Sequence, residues 1–255
     1  MTDGAYRRLI CEIGRRMYGK DLIAANEGNL SVRLGDRLLA TPTGICKGYM
    51  QPEDLVETDL DGHQVSGSRK VSSEILMHCV VYRHRPDVAA VCHGHPLYAT
   101  AHAVAGIPLT EALMPEVVVT LGCVPLAPYG TPSTDELANS LVDLVPRYDA
   151  LLLSNHGAIT YASDLEKSFF KMEILEHCAK IAILTRILGR QTLLSRQAVD
   201  KLFDLREKYG INSVDFRQAG CPVTADEGAA TVTLSRDELE ELVEKVIVAL
   251  IETRG

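Results

Sequence analysis

Two histidines stand two residues apart in Val91-Cys92-His93-Gly94-His95-Pro96. Residues two apart on a strand point to the same face, so His93 and His95 present both imidazoles to one ion while Cys92 points away. On a helix the same pair diverges by about 200°. A third histidine follows a short apolar run in Ser154-Asn155-His156-Gly157, at a strand end, where sites are built. Gly157 allows a turn that swings His156 back over the sheet. Three neutral imidazoles with one open position are the arrangement of a catalytic zinc. The competing reading of the same residues is one satisfied core histidine and two surface ones.

Ser72-Ser73-Glu74 reads as a helix start, where hydroxyls and free N–H groups take up phosphate. Glu74 is either a general base or an acidic first-turn residue complementing the helix dipole. Gly28-Asn29-Leu30-Ser31 and Thr41-Pro42-Thr43-Gly44 suit an oxyanion cradle, and equally ordinary turns. His78 and His177 fall inside helices among apolar residues, and His63, His84 and His102 sit in polar or helical contexts. None of these five is assigned to a metal.

Elements that position these residues follow from periodicity. A helical pattern over residues 5–18 stops at Gly19. Residues 30–41 alternate as a hairpin turning at Gly35-Asp36. A helix from Ser72 to His84 precedes a buried strand over 87–92, and Pro96 opens the next helix at its first position. Residues 149–154 form a short buried strand. Capping boxes at Ser133/Glu136, Ser163/Glu166 and Ser235/Glu238 mark three helix starts. The second opens the longest helix, 164–188, closed by Gly189, and the third opens a last helix, 235–252. Residues 190–234 read as a mobile or partner-covered extension. Mixed strands and helices predict a sheet layered with helices.

The 255 residues carry 26 basic and 34 acidic side chains, a net charge of −8, with 46% hydrophobic and 24% charged residues. Such a chain folds around a sizeable core and is no nucleic-acid binder, for which a basic excess is expected. No apolar run approaches a membrane span, and the first residues lack the apolar core of a signal peptide. Seven cysteines without C-x-x-C spacing read as buried thiols in a reducing, cytoplasmic compartment rather than as disulfides.

In order, Gly28-Asn29, Thr43-Gly44, Ser72-Ser73-Glu74, His93-x-His95-Pro96 and Asn155-His156-Gly157 resemble the class II aldolase/adducin family, and within it the L-fuculose-phosphate aldolases. Softer matches stand at Ala127-Pro128-Tyr129 and Lys208-Tyr209-Gly210, and the resemblance covers about residues 5–212. It implies one domain over 1–255, a three-layer α/β/α sandwich around a largely antiparallel sheet, with 213–255 a C-terminal extension. It implies a divalent metal, zinc or alternatively manganese, on His93, His95 and His156, and a homotetramer with sites between subunits. Glu74 is then the proton-transferring carboxylate, while Asn29, Thr43, Gly44, Ser72 and Ser73 hold a sugar phosphate. The implied reaction cleaves a ketose phosphate reversibly to dihydroxyacetone phosphate and an aldehyde through a metal-stabilised enediolate. The family's tyrosine proton donor has no counterpart in Leu109–Val118, where Glu111 and Glu116 are the ionisable residues; Tyr209 is a candidate contact to a neighbouring subunit's site. A decarboxylase of a related sugar acid phosphate is the alternative within the superfamily. An epimerase is disfavoured because such enzymes carry Asp where Glu74 stands, and a metal-free adducin-like scaffold because all three histidines are present.

Overall fold

The computed structural model describes residues 2–209, 211 and 221–225. Its elements are α1 (Asp3–Gly19), β1 (Asn29–Leu34), β2 (Arg37–Ala40), β3 (Val56–Asp59), β4 (Gln64–Ser66), α2 (Ile75–His84), β5 (Ala90–Gly94) and α3 (Leu97–Ala105). They continue as α4 (Pro115–Thr120), β6 (Leu126–Ala127), α5 (Asp135–Ser140), β7 (Ala150–Leu153), β8 (Gly157–Ala162), α6 (Leu165–Ile187) and α7 (Arg196–Lys208). The strands form one sheet in the order β4-β3-β2-β1-β5-β8-β7-β6. Every neighbouring pair is antiparallel except β6 with β7.

Side-chain alternation along the central strands decides which helices cover which face. Leu30, Cys92, Leu152 and Ala158 turn to one side and pack with Ile13 of α1, Ala103 of α3 and Phe169 and Met172 of α6. Their strand neighbours Val91, Leu151 and Ile159 turn to the other and meet Met77 and Val81 of α2 and Leu137 of α5. The result is the expected α/β/α sandwich on a largely antiparallel sheet. No helix of the described residues is long and apolar enough to cross a membrane.

The hairpin forms as expected, with Gly35 at φ +69° where a side chain would be strained. Other boundaries move. The capping boxes at Ser133 and Ser163 are replaced by caps one residue later: Thr134 Oγ1 accepts from the Glu136 amide and Asp164 accepts from the Lys167 amide. Ser133 lies in the left-handed region, φ +67°, and so takes the turn instead of the cap. Pro96 is the residue before α3 rather than its first. The box at Ser235/Glu238 and the helix at 235–252 lie outside the described residues.

Two expectations are corrected. The 190–234 segment is not wholly an extension, because α7 packs Val199 and Phe203 against Ala112 and Val118 beside α4. Arg206 donates to the Val119 carbonyl at 2.6 Å in the same contact. The cysteines are not all thiols: Cys123 and Cys221 form a disulfide with a Cα–Cα distance of 6.0 Å. Val223 donates to the Thr110 carbonyl and accepts from the Ala112 amide, which brings Cys221 back across 98 residues of chain. Sequence spacing holds no trace of such a closure.

Just before β7, fully buried Asp149 pairs with Arg85 and Lys171, each at 2.9 Å. This ties the end of α2 to the start of β7 and to α6. Asp149→Ala strips that buried countercharge, so urea unfolding should show a loss of about 3–5 kcal/mol. A loss under about 1 kcal/mol would show that the network is replaceable by its remaining contacts.

Candidate metal centre

β1, β5 and β8 lie side by side, with Asn29 opposite His93 and His93 opposite Ile159. His93 is the last residue but one of β5, and it is fully buried. The strand runs Ala90–Gly94 instead of 87–92, so His95 stands just beyond it, in the turn into α3. The start of α3 just after it is anchored by its layer neighbour α6, where Glu176 accepts from the Tyr98 and Ala99 amides at 3.0 and 2.9 Å. His156 sits in the β7–β8 turn. Asn155, at φ +56°, makes the left-handed step, not Gly157. Gly157 serves close approach: a Cβ there would lie 2.5 Å from the Gly94 carbonyl oxygen and 2.6 Å from the His95 ring.

These three histidines converge, with ligating atoms all within 4.8 Å of one another. Glu74 closes the group. Its Oε2 lies 3.3 Å from His93 Nε2 and its Oε1 lies 3.1 Å from His156 Nε2. Glu74 takes the N-cap position of α2 yet makes no cap with its side chain, since the helix begins at Ile75 rather than Ser72. The serines stand in the preceding turn, where Ser72 Oγ accepts from the Glu74 amide at 3.3 Å. Burial opposes Glu74's charge, but positive charge and donated hydrogen bonds from the His93 and His156 rings, when these are protonated, outweigh it and hold the carboxyl well below the usual carboxylate range.

A divalent cation fits this donor set. His93 Nδ1–H donates to the Ala158 carbonyl at 2.9 Å, which leaves Nε2 as the lone-pair atom. His93 Nε2 and His95 Nε2 are buried without a hydrogen-bond partner. Burial first, then His93 and His156, lower the His95 pKa to about 4, so its ring is neutral at working pH. Lone pairs facing a carboxylate repel one another unless positive charge lies among them. The His95 Nδ1 atom meets Glu27 Oε2 at 3.1 Å, the carboxylate–histidine pairing that orients metal ligands. Glu27 escaped sequence reasoning because a half-exposed acid in a loop gives no periodic signal.

The remaining expected residues are gathered unevenly. Asn29 donates through Nδ2 to Glu74 Oε2 at 2.9 Å. The Thr43 amide donates to the Lys70 carbonyl, and the Ser72 amide to that of Thr41, which draws Thr43-Gly44 alongside Ser72-Ser73. Gly44 is left-handed at φ +72°. Lys47, 3% exposed, donates to the Asn26 carbonyl at 2.7 Å, and burial pulls its pKa down to about 8. Its charge acts on Glu74, so a cation the sequence did not flag stands by the pocket. Tyr209 follows α7, is 70% exposed, and makes no hydrogen bond with the histidines among the described residues. Glu111 is engaged with Arg186 at 3.1 Å.

Residues 8–183 match the family described as Class II Aldolase and Adducin N-terminal domain. A 3-oxo-tetronate 4-phosphate decarboxylase of Pectobacterium atrosepticum is 36% identical, over 70% of this chain and 84% of the relative. A 5-deoxy-D-ribulose 1-phosphate aldolase of Bacillus thuringiensis serovar kurstaki is 33% identical, over 80% and 96%. The solved structure of an L-fuculose 1-phosphate aldolase superposes with a TM-score of 0.74 at 32% identity, covering 80% of this chain and 95% of that one.

Metal binding is directly measurable. Elemental analysis of metal-reconstituted wild type should find about one divalent ion per chain, and a value under about 0.2 would contradict the site. Glu27→Gln should keep the fold and weaken affinity in chelator competition by about 10–100-fold.

Proposed function

The chain belongs to the class II aldolase and adducin family, whose aldolases depend on a divalent metal, and from that premise we propose that it is a metal-dependent aldolase. Its reaction cleaves a ketose phosphate reversibly to dihydroxyacetone phosphate and an aldehyde. The observation that carries this reading is the Glu74 carboxylate held against two of three convergent histidines, 3.3 and 3.1 Å away, with no capping duty of its own. A divalent cation on His93, His95 and His156, zinc in our reading, supplies positive charge where the reaction develops negative charge on oxygen.

The chain's own groups do the rest. In the synthetic direction Glu74 removes a proton from the carbon beside the carbonyl of dihydroxyacetone phosphate, and the electron pair stays on the enediolate. That pair then bonds to the aldehyde carbon, whose oxygen takes up a proton from solvent. In cleavage the hydroxyl that becomes the aldehyde oxygen gives its proton to solvent, the carbon–carbon bond breaks, the pair returns to the enediolate, and Glu74 gives its proton back to carbon. Asn29 donates to Oε2 and His156 Nε2 stands 3.1 Å from Oε1, so both carboxylate oxygens are held in place for that transfer. Asn29, Thr43, Gly44, Ser72 and Ser73 hold the phosphate, with the Lys47 ammonium adding long-range attraction.

A homotetramer in the cytoplasm completes the proposal. Exposed apolar side chains on α3 and α6, Leu97, Val104 and Ile187 among them, support an assembly that covers them. A second reading has a specific observation behind it: Leu109–Val118 offers no tyrosine to serve the aldehyde oxygen. A decarboxylase forms the same enediolate from a keto-acid phosphate and has no aldehyde to serve. The test is a screen of phosphorylated ketoses and keto acids against their phosphate-free forms, scoring dihydroxyacetone phosphate and carbon dioxide. Aldehyde formation with at least about a 10³-fold preference in kcat/KM for phosphorylated substrates is expected, from several charged hydrogen bonds lost together. Carbon dioxide without aldehyde overturns the aldolase reading in favour of the decarboxylase.

A further inference from the structure

His78 lies inside α2 and is 1% exposed, as a core histidine would be. Its two ring nitrogens are nevertheless both engaged with polar groups. Nε2 meets Asn29 Oδ1, and Nδ1 lies 2.7 Å from Ser31 Oγ. Ser31 Oγ in turn lies 2.8 Å from Tyr82 Oη, which also donates to the Ser31 carbonyl at 3.0 Å. At the other end Asn29 Nδ2 donates to Glu74 Oε2 at 2.9 Å.

The direction of every bond follows from the ends. An ionised Glu74 accepts only, so the Asn29 amide must face it with its NH₂ group. Asn29 Oδ1 therefore faces His78 and accepts, which makes His78 the Nε2–H tautomer. Its Nδ1 then accepts from the Ser31 hydroxyl, and the single Tyr82 proton is shared between Ser31 Oγ and the Ser31 carbonyl. Burial pulls the His78 pKa down to about 3, so the ring is neutral and this one tautomer persists at working pH.

We propose that His78 is a positioning residue for the reaction, locking the Asn29 amide so that it presents one N–H to Glu74 and the other to the substrate pocket. Without the Nε2–H donor the amide is free to flip, which would set its oxygen against the carboxylate and turn both donors away. The same lock couples the proton-carrying group to the phosphate-holding group, since both depend on one amide plane. This inference rests on the assignment of Glu74 as the proton carrier.

The test combines a double-mutant cycle with a spectroscopic readout. His78→Phe should lower kcat by about tenfold or more in the wild-type background and by less than about twofold when Asn29 is already Ala. His78→Gln, which keeps an N–H donor, should recover most of the loss and guards against a misfolded Phe variant. Long-range ¹H–¹⁵N correlation on the intact protein should show His78 protonated on Nε2 alone between about pH 5 and 8. Equal losses in both Asn29 backgrounds, or an Nδ1–H tautomer, would overturn the proposal. Undiminished turnover by Glu74→Gln would instead overturn the proton-carrier assignment while leaving the tautomer result standing.

Discussion

The structure turns on one electrostatic constraint: a carboxylate is buried against one imidazole from β5 and another from the turn between β7 and β8. An ionised group taken out of water is costly unless charge and hydrogen bonds surround it. Here Glu74 meets His93 and His156 directly and receives the Asn29 N–H. That arrangement requires β1, β5 and β8 to be adjacent, because Asn29 stands opposite His93 and β8 begins where His156 ends its turn. It also requires α2 to start at Ile75, so that Glu74 is spared from capping.

Supporting features serve this arrangement at increasing distance. Gly157 lets β8 approach the Gly94 backbone and the His95 ring at distances no side chain would allow. Glu27 and the Ala158 carbonyl fix two imidazoles through their far nitrogens. Glu176 of α6 holds the first turn of α3, just after His95, from the same helix layer. Further out, the Asp149 network fixes where α2 ends relative to β7 and α6.

Much of this was legible in the residues. The hairpin announced itself through alternation and Gly35, and the H-x-H pair through strand spacing. The helix over 164–188 emerged as α6 within a residue at each end. The chain Tyr82, His78, Glu74 was legible in principle and was missed. Those residues are spaced by four along one helix face, and Asn29 and Ser31 by two on one strand face, so the pattern pointed them at each other. An apolar setting for His78 masked it, since the packed core and the polar chain share that face. Long-range closures gave no local signal at all: the Cys123–Cys221 link, the docking of α7 on α4, and the left-handed Asn155 depend on contacts that sequence periodicity does not encode.

The central claim is that Glu74 moves a proton to and from the carbon beside the substrate carbonyl. Hydrogen–deuterium exchange at that carbon of dihydroxyacetone phosphate, followed by NMR in D₂O with no aldehyde present, tests it most directly. Metal-loaded wild type should exchange one carbon-bound hydrogen, and Glu74→Gln, with its metal retained, should exchange at least about a hundredfold more slowly. Exchange by Glu74→Gln at the wild-type rate would contradict the account and assign the base to another residue.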